Sequence, residues 1–360
     1  MTAQTYGSRS IRRRRRTAEE MEAIRQAIRW VLEESHPMSV RQVYYQLTTL
    51  GVIDKTEKDY KSTVVRLLGE MRRDGSIPYS WLADATRWMR KPTTYDSAAD
   101  AVEQLAAVYR RNLWTDSDVV EVWVEKEALA GVLVEVTERW DVPLMVTRGY
   151  PSMSYLYSAA AQVVERWLDG RRTFIYYMGD HDPSGVDIDR TVVEGVGRAA
   201  RSVLVGLPDD RVTHKLADIV GSDIFQSLGL PANEEFLEWR QRDWRWVLKP
   251  DDDETFDSWA CRHTFRSLLG CHFERLGVLP SQIEEWKLPS RPTKRTDTRS
   301  KNFKGESVEL DAIPADKLRG LAEDAILAHV DLDSLKVLET VEEEERKGLE
   351  QLAAGFRGEG

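Results

Sequence analysis

The spacing of apolar residues is helical in the first part of the chain and changes further along. Apolar positions three or four residues apart predict short amphipathic helices over about 17–35, 40–50 and 59–73. A short extended stretch that contains Ile77 and Trp81 follows them. Three short helices followed by an extended stretch are typical of a winged-helix or helix-turn-helix module. A plain helical bundle is the alternative.

Apolar strands then alternate with longer helices. The strands are predicted at 119–124, 144–147 and 173–178, and the helices at 128–140, 152–168 and 187–203. This order predicts an α/β fold with a parallel, doubly wound sheet. In such sheets the functional site lies at the carboxyl ends of the strands.

Composition divides the chain into five parts. We predict a basic disordered tail (1–16), a winged-helix domain (17–95), a linker helix (96–117), an α/β domain (118–330) and an acidic helical tail (331–360). The stretch of about 205–285 has no clean period and is interpreted as an insertion. No apolar run is long enough to span a membrane, and two cysteines without a CxxC argue against zinc and disulfides. We therefore expect a cytoplasmic protein.

The net charge of −10 conceals two basic clusters, at Arg9–Arg16 and Lys287–Lys304. The local patch, and not the average charge, sets the field that a phosphate meets. For the second cluster, which lies between segments that look ordered, we predict contact with phosphate. The alternative for both clusters is a solvated segment.

Three carboxylates follow the predicted strands. Asp180 and Asp182 come just after the third strand, and side chains two apart on an extended backbone point the same way. Glu125 directly follows the first strand and so lies at the same edge of the sheet. Converging carboxylates repel one another unless a cation lies between them, and Mg²⁺ is usually held by carboxylates and substrate phosphates. The pattern predicts a Mg²⁺ site for phosphate chemistry.

The second predicted helix carries Arg41 and Tyr45 outside its apolar stripe, which contains Tyr44. Their i, i+4 spacing makes Arg41 and Tyr45 neighbours on a face that we expect to be exposed. Such a pair can be an ordinary surface contact. It can also be a phenol nucleophile beside a cation that offsets the charge of a phosphate.

These motifs together resemble the A subunit of topoisomerase VI and its relatives, the meiotic double-strand-break transesterases. Arg41–Tyr45 is similar to the family's Arg-x-x-Tyr/Phe-Tyr motif, and Val124–Ala128 to its Val-Glu-Lys-Glu-Ala. Asp180–Gly185 resembles its Asp-x-Asp-Pro-Tyr-Gly, and Thr147–Ser152 the Gly-rich loop between those motifs. Val308–Ile313 looks like a late segment of the same domain.

The resemblance covers 39–185 well and 288–313 loosely. His181 stands where the family commonly has a small residue, and Arg148 where Gly-Lys-Gly is more usual. The resemblance implies that Arg148, Lys294, Arg295 and Arg299 contact the DNA backbone, which would give salt-dependent binding with little sequence information. The chain is short, which places it nearer to stand-alone prokaryotic or phage relatives in the nucleoid than to the full A subunit.

The resemblance implies a winged-helix (CAP-like) domain followed by a toprim domain, and an activity like that of a type IIB DNA topoisomerase. Tyr45 would attack a phosphodiester of double-stranded DNA, and Arg41 would stabilise the transition state. Glu125, Asp180 and Asp182 would hold Mg²⁺, with Glu125 also an acid–base group for resealing. A homodimer that cuts both strands is implied, and strand passage would need a separate ATPase subunit.

Two other functions are compatible with the same residues. The first is a toprim-type hydrolytic DNA nuclease without tyrosine chemistry, similar to the Wadjet nuclease subunit, a distant relative. Tyr45 would then be a DNA contact. The second is a non-catalytic DNA-binding protein with a relic metal site, against which the presence of all three carboxylates argues.

Overall fold

The chain folds as a mixed α/β protein with a four-stranded parallel sheet. The computed structural model describes residues 16–83, 93–114, 118–207, 262, 266, 269–290, 303 and 306–358. The predicted α/β class is confirmed at this level, whereas the winged-helix and toprim assignments stay predictions. None of the helices in these ranges is long and apolar enough to cross a membrane.

The N-terminal part is helical, as the apolar spacing predicts. Its elements are α1 (Ala18–Ser35), α2 (Val40–Thr49), α3 (Glu57–Asp59), a π-helical segment (Tyr60–Val65) and α4 (Arg66–Arg73). Thr17 and Ser39 begin α1 and α2 with reciprocal capping boxes, which satisfy backbone N–H groups that have no partner within the helix. The apolar faces of these helices pack into one core that contains Ile28, Leu32 and Val43.

The sheet consists of β1 (Val119–Val124), β2 (Leu144–Val146), β3 (Thr173–Met178) and β4 (Cys271–Gly277), in the order β2-β1-β3-β4. β4 lies within the stretch 205–285 that the sequence analysis interprets as an insertion. That boundary needs correction, because β4 pairs with β3 over its length. The strand escapes sequence reasoning because it lies at an edge of the sheet and mixes apolar with charged residues.

Helices cover both faces of the sheet, as expected for a doubly wound arrangement. The remaining helices are α5 (Ala98–Val108), α6 (Glu127–Arg139), α7 (Met153–Leu168), α8 (Pro183–Gly206), α9 (Pro280–Glu285), α10 (Ala315–Leu327) and α11 (Leu332–Arg357). One face of the sheet packs with α6 and α10, and the other with α7 and α8. The predicted acidic tail is helix α11, which packs against α5.

The strand order reverses between β1 and β3. The chain passes from β1 through α6 to β2 on one side, and then returns through α7 to β3 on the other side of β1. In open parallel sheets this reversal opens a crevice at the carboxyl ends of the strands, where ligands bind. Glu125 ends β1 at this crevice, and Asp180 and Asp182 follow β3 there.

A segment near the C-terminal end of the α/β part, 307–313, joins the helical part to this edge of the sheet. Val308 exchanges two backbone hydrogen bonds of 2.9 Å with His181. Ser39, the cap of α2, donates its hydroxyl to Asp311 at 2.9 Å, and Gln42 donates to the carbonyl of Ile313 at 3.2 Å. Helix α2 is therefore fixed to the carboxylate-bearing edge.

Candidate active site

Glu125 and Asp180 lie against each other at the crevice. The Glu125 Oε2 atom accepts a hydrogen bond from the backbone N–H of Asp180 at 2.8 Å, and the Asp180 Oδ1 atom accepts one from the N–H of Leu310 at 2.8 Å. Burial and the neighbouring charge of Asp180 raise the pKa of Glu125. Burial also raises the pKa of Asp180, although Lys126 opposes that shift. The raised pKa values mean that the ionised forms of both carboxyl groups are less stable here than they are in water.

Asp182 begins helix α8. Its Oδ1 atom accepts a hydrogen bond from the N–H of Gly185 at 2.7 Å, while Pro183 occupies the first turn. Only glycine fits at position 185 without a shift of the backbone, because a Cβ atom built there would lie 2.1 Å from the carbonyl oxygen of Asp180. The Asp-x-Asp-x-x-Gly spacing therefore reflects both a helix cap and a close approach of two backbone segments.

Lys126 lies at the centre of the site, although no role for it could be predicted from the sequence. Its Nζ atom lies 2.9 Å from Asp180 Oδ1, 2.8 Å from Asp311 Oδ2 and 3.3 Å from Glu309 Oε2. Burial opposes its charge, but the carboxylates of Asp311, Asp180 and Glu309 outweigh that effect and raise its pKa above the ordinary value. Lys126 therefore stays charged and ties segment 307–313 to the end of β3.

Tyr45 is buried, which corrects the expectation of an exposed side chain. Only 3% of the residue is accessible, since segment 307–313 covers this part of α2 and Lys55 lies 5.3 Å from the centre of the phenol ring. Burial and the charge of the nearby Glu309 raise the pKa of Tyr45. The helical face of Tyr45 followed from its sequence position, but a distant segment decided its exposure.

Arg41 lies one turn before Tyr45 and meets the same carboxylate. Its Nη1 atom is 2.8 Å from Glu309 Oε2, and its guanidinium lies 4.8 Å from the centre of the Tyr60 ring. Arg41 and Tyr45 are therefore close together, as predicted, and Glu309 lies near both. Tyr44 faces the core as expected, and its hydroxyl donates to the carbonyl of Thr56 at 3.2 Å.

A cleft of about 760 Å³ runs between α2 and the edge of the sheet. The charged side chains that line it are Arg41, Arg72, Glu125, Lys126, Glu127, Arg148, Asp180, Glu309 and Asp311. These are four cationic and five anionic groups, so their formal sum is one negative charge. A phosphate would enter the cleft favourably only together with an added cation, or after the carboxylates of segment 307–313 have moved away.

The residues at the crevice suit a metal that completes its coordination with other ligands. Within the described ranges, no three His, Cys, Asp or Glu side chains are grouped to hold a metal ion, so Glu125, Asp180 and Asp182 do not form a closed cage. In those same ranges the buried hydroxyls of Thr147 and Tyr177 have no hydrogen bond of good geometry. The Tyr177 hydroxyl and Glu125 Oε2 also approach Gly179 so closely that a Cβ atom there would lie 2.6 and 2.8 Å from them, so that only glycine fits. The neighbouring carboxylates of Glu125 and Asp180 suit Mg²⁺, which one or two carboxylates can hold together with water and phosphate.

Comparisons of the chain with protein-family models, with curated proteins and with solved structures find no match. What the site can do chemically must therefore follow from its own residues.

The predicted DNA contacts have mixed outcomes. Arg148 lines the cleft in a left-handed backbone conformation, with its Nη2 atom 2.5 Å from Glu127 Oε1. Its side chain is largely exposed, so it can exchange this partner for a phosphate at little cost. Lys294, Arg295 and Arg299 lie outside the described residues.

Four residues of the site had no assigned role in the sequence analysis: Lys126, Arg275, Glu309 and Asp311. Three of them lie in segments whose resemblance was noted, next to Glu125 or within Val308–Ile313. For Glu309 and Asp311 the available signal was a charged residue that alternates with apolar neighbours, whereas Lys126 stands between two glutamates. Arg275 had no signal, because it belongs to β4.

Proposed function

We propose that this protein cleaves double-stranded DNA by transesterification, with Tyr45 as the nucleophile and a Mg²⁺ site at Glu125, Asp180 and Asp182, as in type IIB topoisomerases. One observation carries the proposal. Tyr45 and Arg41 both lie beside Glu309. Glu309 also contacts Lys126, and Lys126 contacts Asp180. A candidate nucleophile, a candidate base, two cations and the candidate metal ligand Asp180 thus form one continuous cluster, of which all members except the tyrosine line the cleft.

The chemistry follows from these neighbours. The phenol oxygen of Tyr45 forms a bond to the phosphorus atom, and the bond from phosphorus to the 3′ oxygen breaks. The phenol proton passes to the carboxylate of Glu309, which is close enough to act on the phenol. The released 3′ oxygen takes a proton from water, while Arg41 and Lys126 offset the charge on the phosphate. Bound Mg²⁺ would supply further positive charge at the phosphate and help to orient the scissile strand.

Access to Tyr45 requires a rearrangement. Because only 3% of the residue is accessible, a phosphate reaches the phenol only when Glu309 releases Arg41 and Lys126 and segment 307–313 shifts to admit the strand, with Glu309 still beside the phenol. We propose that DNA binding and a second copy of the chain drive this opening, so that a homodimer cuts both strands. Strand passage would need ATP hydrolysis by another polypeptide.

A second candidate function is hydrolytic cleavage of DNA at the same carboxylates. The burial of Tyr45 favours it, together with the raised pKa that burial and Glu309 give to the phenol. A phenol of raised pKa is rarely ionised at neutral pH and is a weaker nucleophile unless a base takes its proton in the transition state. In this case the oxygen of a water molecule bonds to the phosphorus and the water gives up a proton, the bond from phosphorus to an ester oxygen of the strand breaks, and that oxygen takes a proton. Tyr45 then only packs beside the bound strand.

A plasmid assay separates the two functions. Supercoiled DNA is incubated with the protein and Mg²⁺, the reaction is stopped with denaturant, and protein attached to DNA 5′ ends is measured. We expect the wild type to become covalently attached to DNA. Attachment should fall at least about 1,000-fold in Tyr45→Phe, which lacks the nucleophile, and in Asp180→Ala, which lacks a metal ligand. Cleavage that persists in Tyr45→Phe without attached protein would instead establish hydrolysis.

Tyr44→Phe is the matched control. It removes one buried phenol hydroxyl from the neighbouring position of the same helix, and that hydroxyl donates to Thr56 and not to Glu309. Both Tyr→Phe variants should lose about 1 kcal/mol of unfolding free energy in urea. Equal loss of attachment in both would show that disruption of α2, and not loss of a nucleophile, explains the effect. DNA binding without cleavage by any variant would favour a non-catalytic protein.

A further inference from the structure

Arg275 lies on β4 and is held by a carboxylate of helix α8. Only 9% of its side chain is exposed. Its Nε and Nη2 atoms donate to the two carboxylate oxygens of Asp189, each at 2.7 Å, and its guanidinium lies 5.1 Å from the centre of the Tyr177 ring. This two-point contact fixes the plane of the guanidinium, so that its remaining N–H groups point in set directions.

Those remaining N–H groups bind the loop that carries the candidate metal ligands, residues 179–185 between β3 and α8. The Nη1 atom donates to the carbonyl oxygens of Gly179 at 3.0 Å and Asp180 at 3.3 Å. The Nη2 atom donates to the carbonyl oxygen of Gly185 at 2.6 Å. Arg275 thus contacts both ends of the loop at the same time.

The loop needs such a partner for an electrostatic reason. The carbonyl oxygens of Gly179, Asp180 and Gly185 converge on one side, and each accepts a hydrogen bond from Arg275, because a buried carbonyl without a partner is costly. The Gly179 oxygen also accepts from the N–H of Val278 at 2.8 Å, so it does not depend on Arg275 alone. With Arg275 on the backbone, the Asp180 carboxylate faces Lys126 and the cleft. A lysine has three donors on one atom and cannot span the same set of acceptors.

We propose that Arg275, oriented by Asp189, is a positioning residue for divalent-cation binding at Asp180 and Asp182. It holds the backbone of loop 179–185 and does not contact the cation. This inference rests on the metal site of the proposed function. Partners that orient metal-binding groups in this way commonly change metal affinity by about 10- to 100-fold when they are replaced.

The test uses Mn²⁺ as the probe and the full-length chain, with binding followed by electron paramagnetic resonance of the free ion. We expect Arg275→Lys to weaken Mn²⁺ binding about 10- to 100-fold. Arg166→Lys is the matched control, because Arg166 is also largely buried and pairs with a carboxylate, Glu121, at the same sheet but away from the loop. It should bind Mn²⁺ as the wild type does.

Amide hydrogen exchange of the segment 179–186 supplies a readout that does not depend on the metal. We expect exchange there to become about tenfold faster in Arg275→Lys, with no such change in Arg166→Lys. Asp189→Asn keeps Arg275 but removes the charge that orients it, so a smaller change in the same direction is expected. This second variant keeps the test informative should Arg275→Lys fail to fold.

The outcomes separate the two levels of the proposal. A wild type that binds no Mn²⁺ overturns the metal site itself. Wild-type binding that is unchanged in Arg275→Lys and Asp189→Asn overturns the positioning role and leaves the metal site standing. A loss of affinity that is equally large in Arg166→Lys would reduce the effect to general destabilisation and would also overturn the role.

Discussion

The carboxylate edge of the sheet and the tyrosine helix α2 meet in one cleft but are built differently. At the edge, Glu125 and Asp180 extend two strands that are paired in parallel register, and a backbone hydrogen bond from Glu125 to Met178 continues that pairing. On α2, the helix places Tyr45, but its surroundings come from segment 307–313 far along the chain. The edge is therefore formed by the sheet itself, whereas the state of the tyrosine depends on a contact that can open.

This difference suggests where control over DNA cleavage would act. The carboxylates need only a cation to become a phosphate-binding site, because strand pairing already holds their backbone in place. Tyr45 becomes accessible only when the charged contacts of Glu309 with Arg41 and Lys126 give way. Changes at the edge should therefore reduce metal binding and stability, while changes at Glu309 should act on access to the phenol.

Replacing Lys126 should have the largest effect, because it joins the two regions. Lys126→Met leaves Asp180, Glu309 and Asp311 without their shared cation, and their side chains are only 11, 7 and 2% exposed. Breaking a buried pair from one side commonly costs about 3–5 kcal/mol. Urea denaturation at neutral pH measures this loss.

Lys336→Met is the control for that variant. Lys336 pairs with Asp333 at the surface, where both side chains are mostly exposed, so no measurable loss is expected. A Lys126→Met variant as stable as this control would mean that the carboxylates of segment 307–313 are solvated and that α2 is already free of the edge.

Gly185→Ala should act on the edge alone and less strongly. The new Cβ would lie 2.1 Å from the carbonyl oxygen of Asp180, whereas such contacts are essentially never shorter than 3.0 Å, so the loop must shift by about 1 Å. We expect a loss of about 1–3 kcal/mol in unfolding free energy, together with weaker Mn²⁺ binding. Gly348→Ala in α11 is the control, since a Cβ there meets nothing within 4 Å and should stabilise the helix slightly. Unchanged metal binding in Gly185→Ala would show that the loop is not rigid.

Asp59→Asn should have the smallest effect, and that effect should depend on pH. Asp59 lies beside α2 and binds Arg16 at 2.6 Å. Burial would raise the pKa of its carboxyl, but Arg16 outweighs burial and holds that pKa below the ordinary value of 3.8. A lowered pKa stabilises the fold above the unfolded-state pKa, and this contribution is lost as the pH falls through the folded-state pKa.

The wild type should therefore exceed Asp59→Asn by about 1–2 kcal/mol at neutral pH, and by less as the pH falls below about 4. Urea denaturation of both proteins over this pH range measures the difference. A difference that stays constant down to about pH 3 would show that the charge of Asp59 contributes nothing and that its hydrogen bonds to Thr56 and Thr63 account for the whole effect.

Much of the fold and part of the site could be predicted from local patterns. Helical spacing predicted α1 and α2, and the alternation of strands and helices predicted three of the four strands. The positions of Glu125 and Asp180 followed because a residue after a strand must lie at that strand's end. The exposure of Tyr45 was predicted wrongly, because helical periodicity identifies a face but not what packs against it.

The amino-acid sequence by itself determined the α/β order, the edge at which the carboxylates lie and the proximity of Arg41 to Tyr45, since each depends on neighbours only a few residues apart. Tertiary structure alone decided that β4 brings Arg275 under loop 179–185, that Lys126 is shared by three carboxylates, and that segment 307–313 buries Tyr45. The physical reason is distance along the chain. Residues far apart in sequence contribute charges and packing surfaces whose partners no local period can specify, and here they determine whether Tyr45 is accessible.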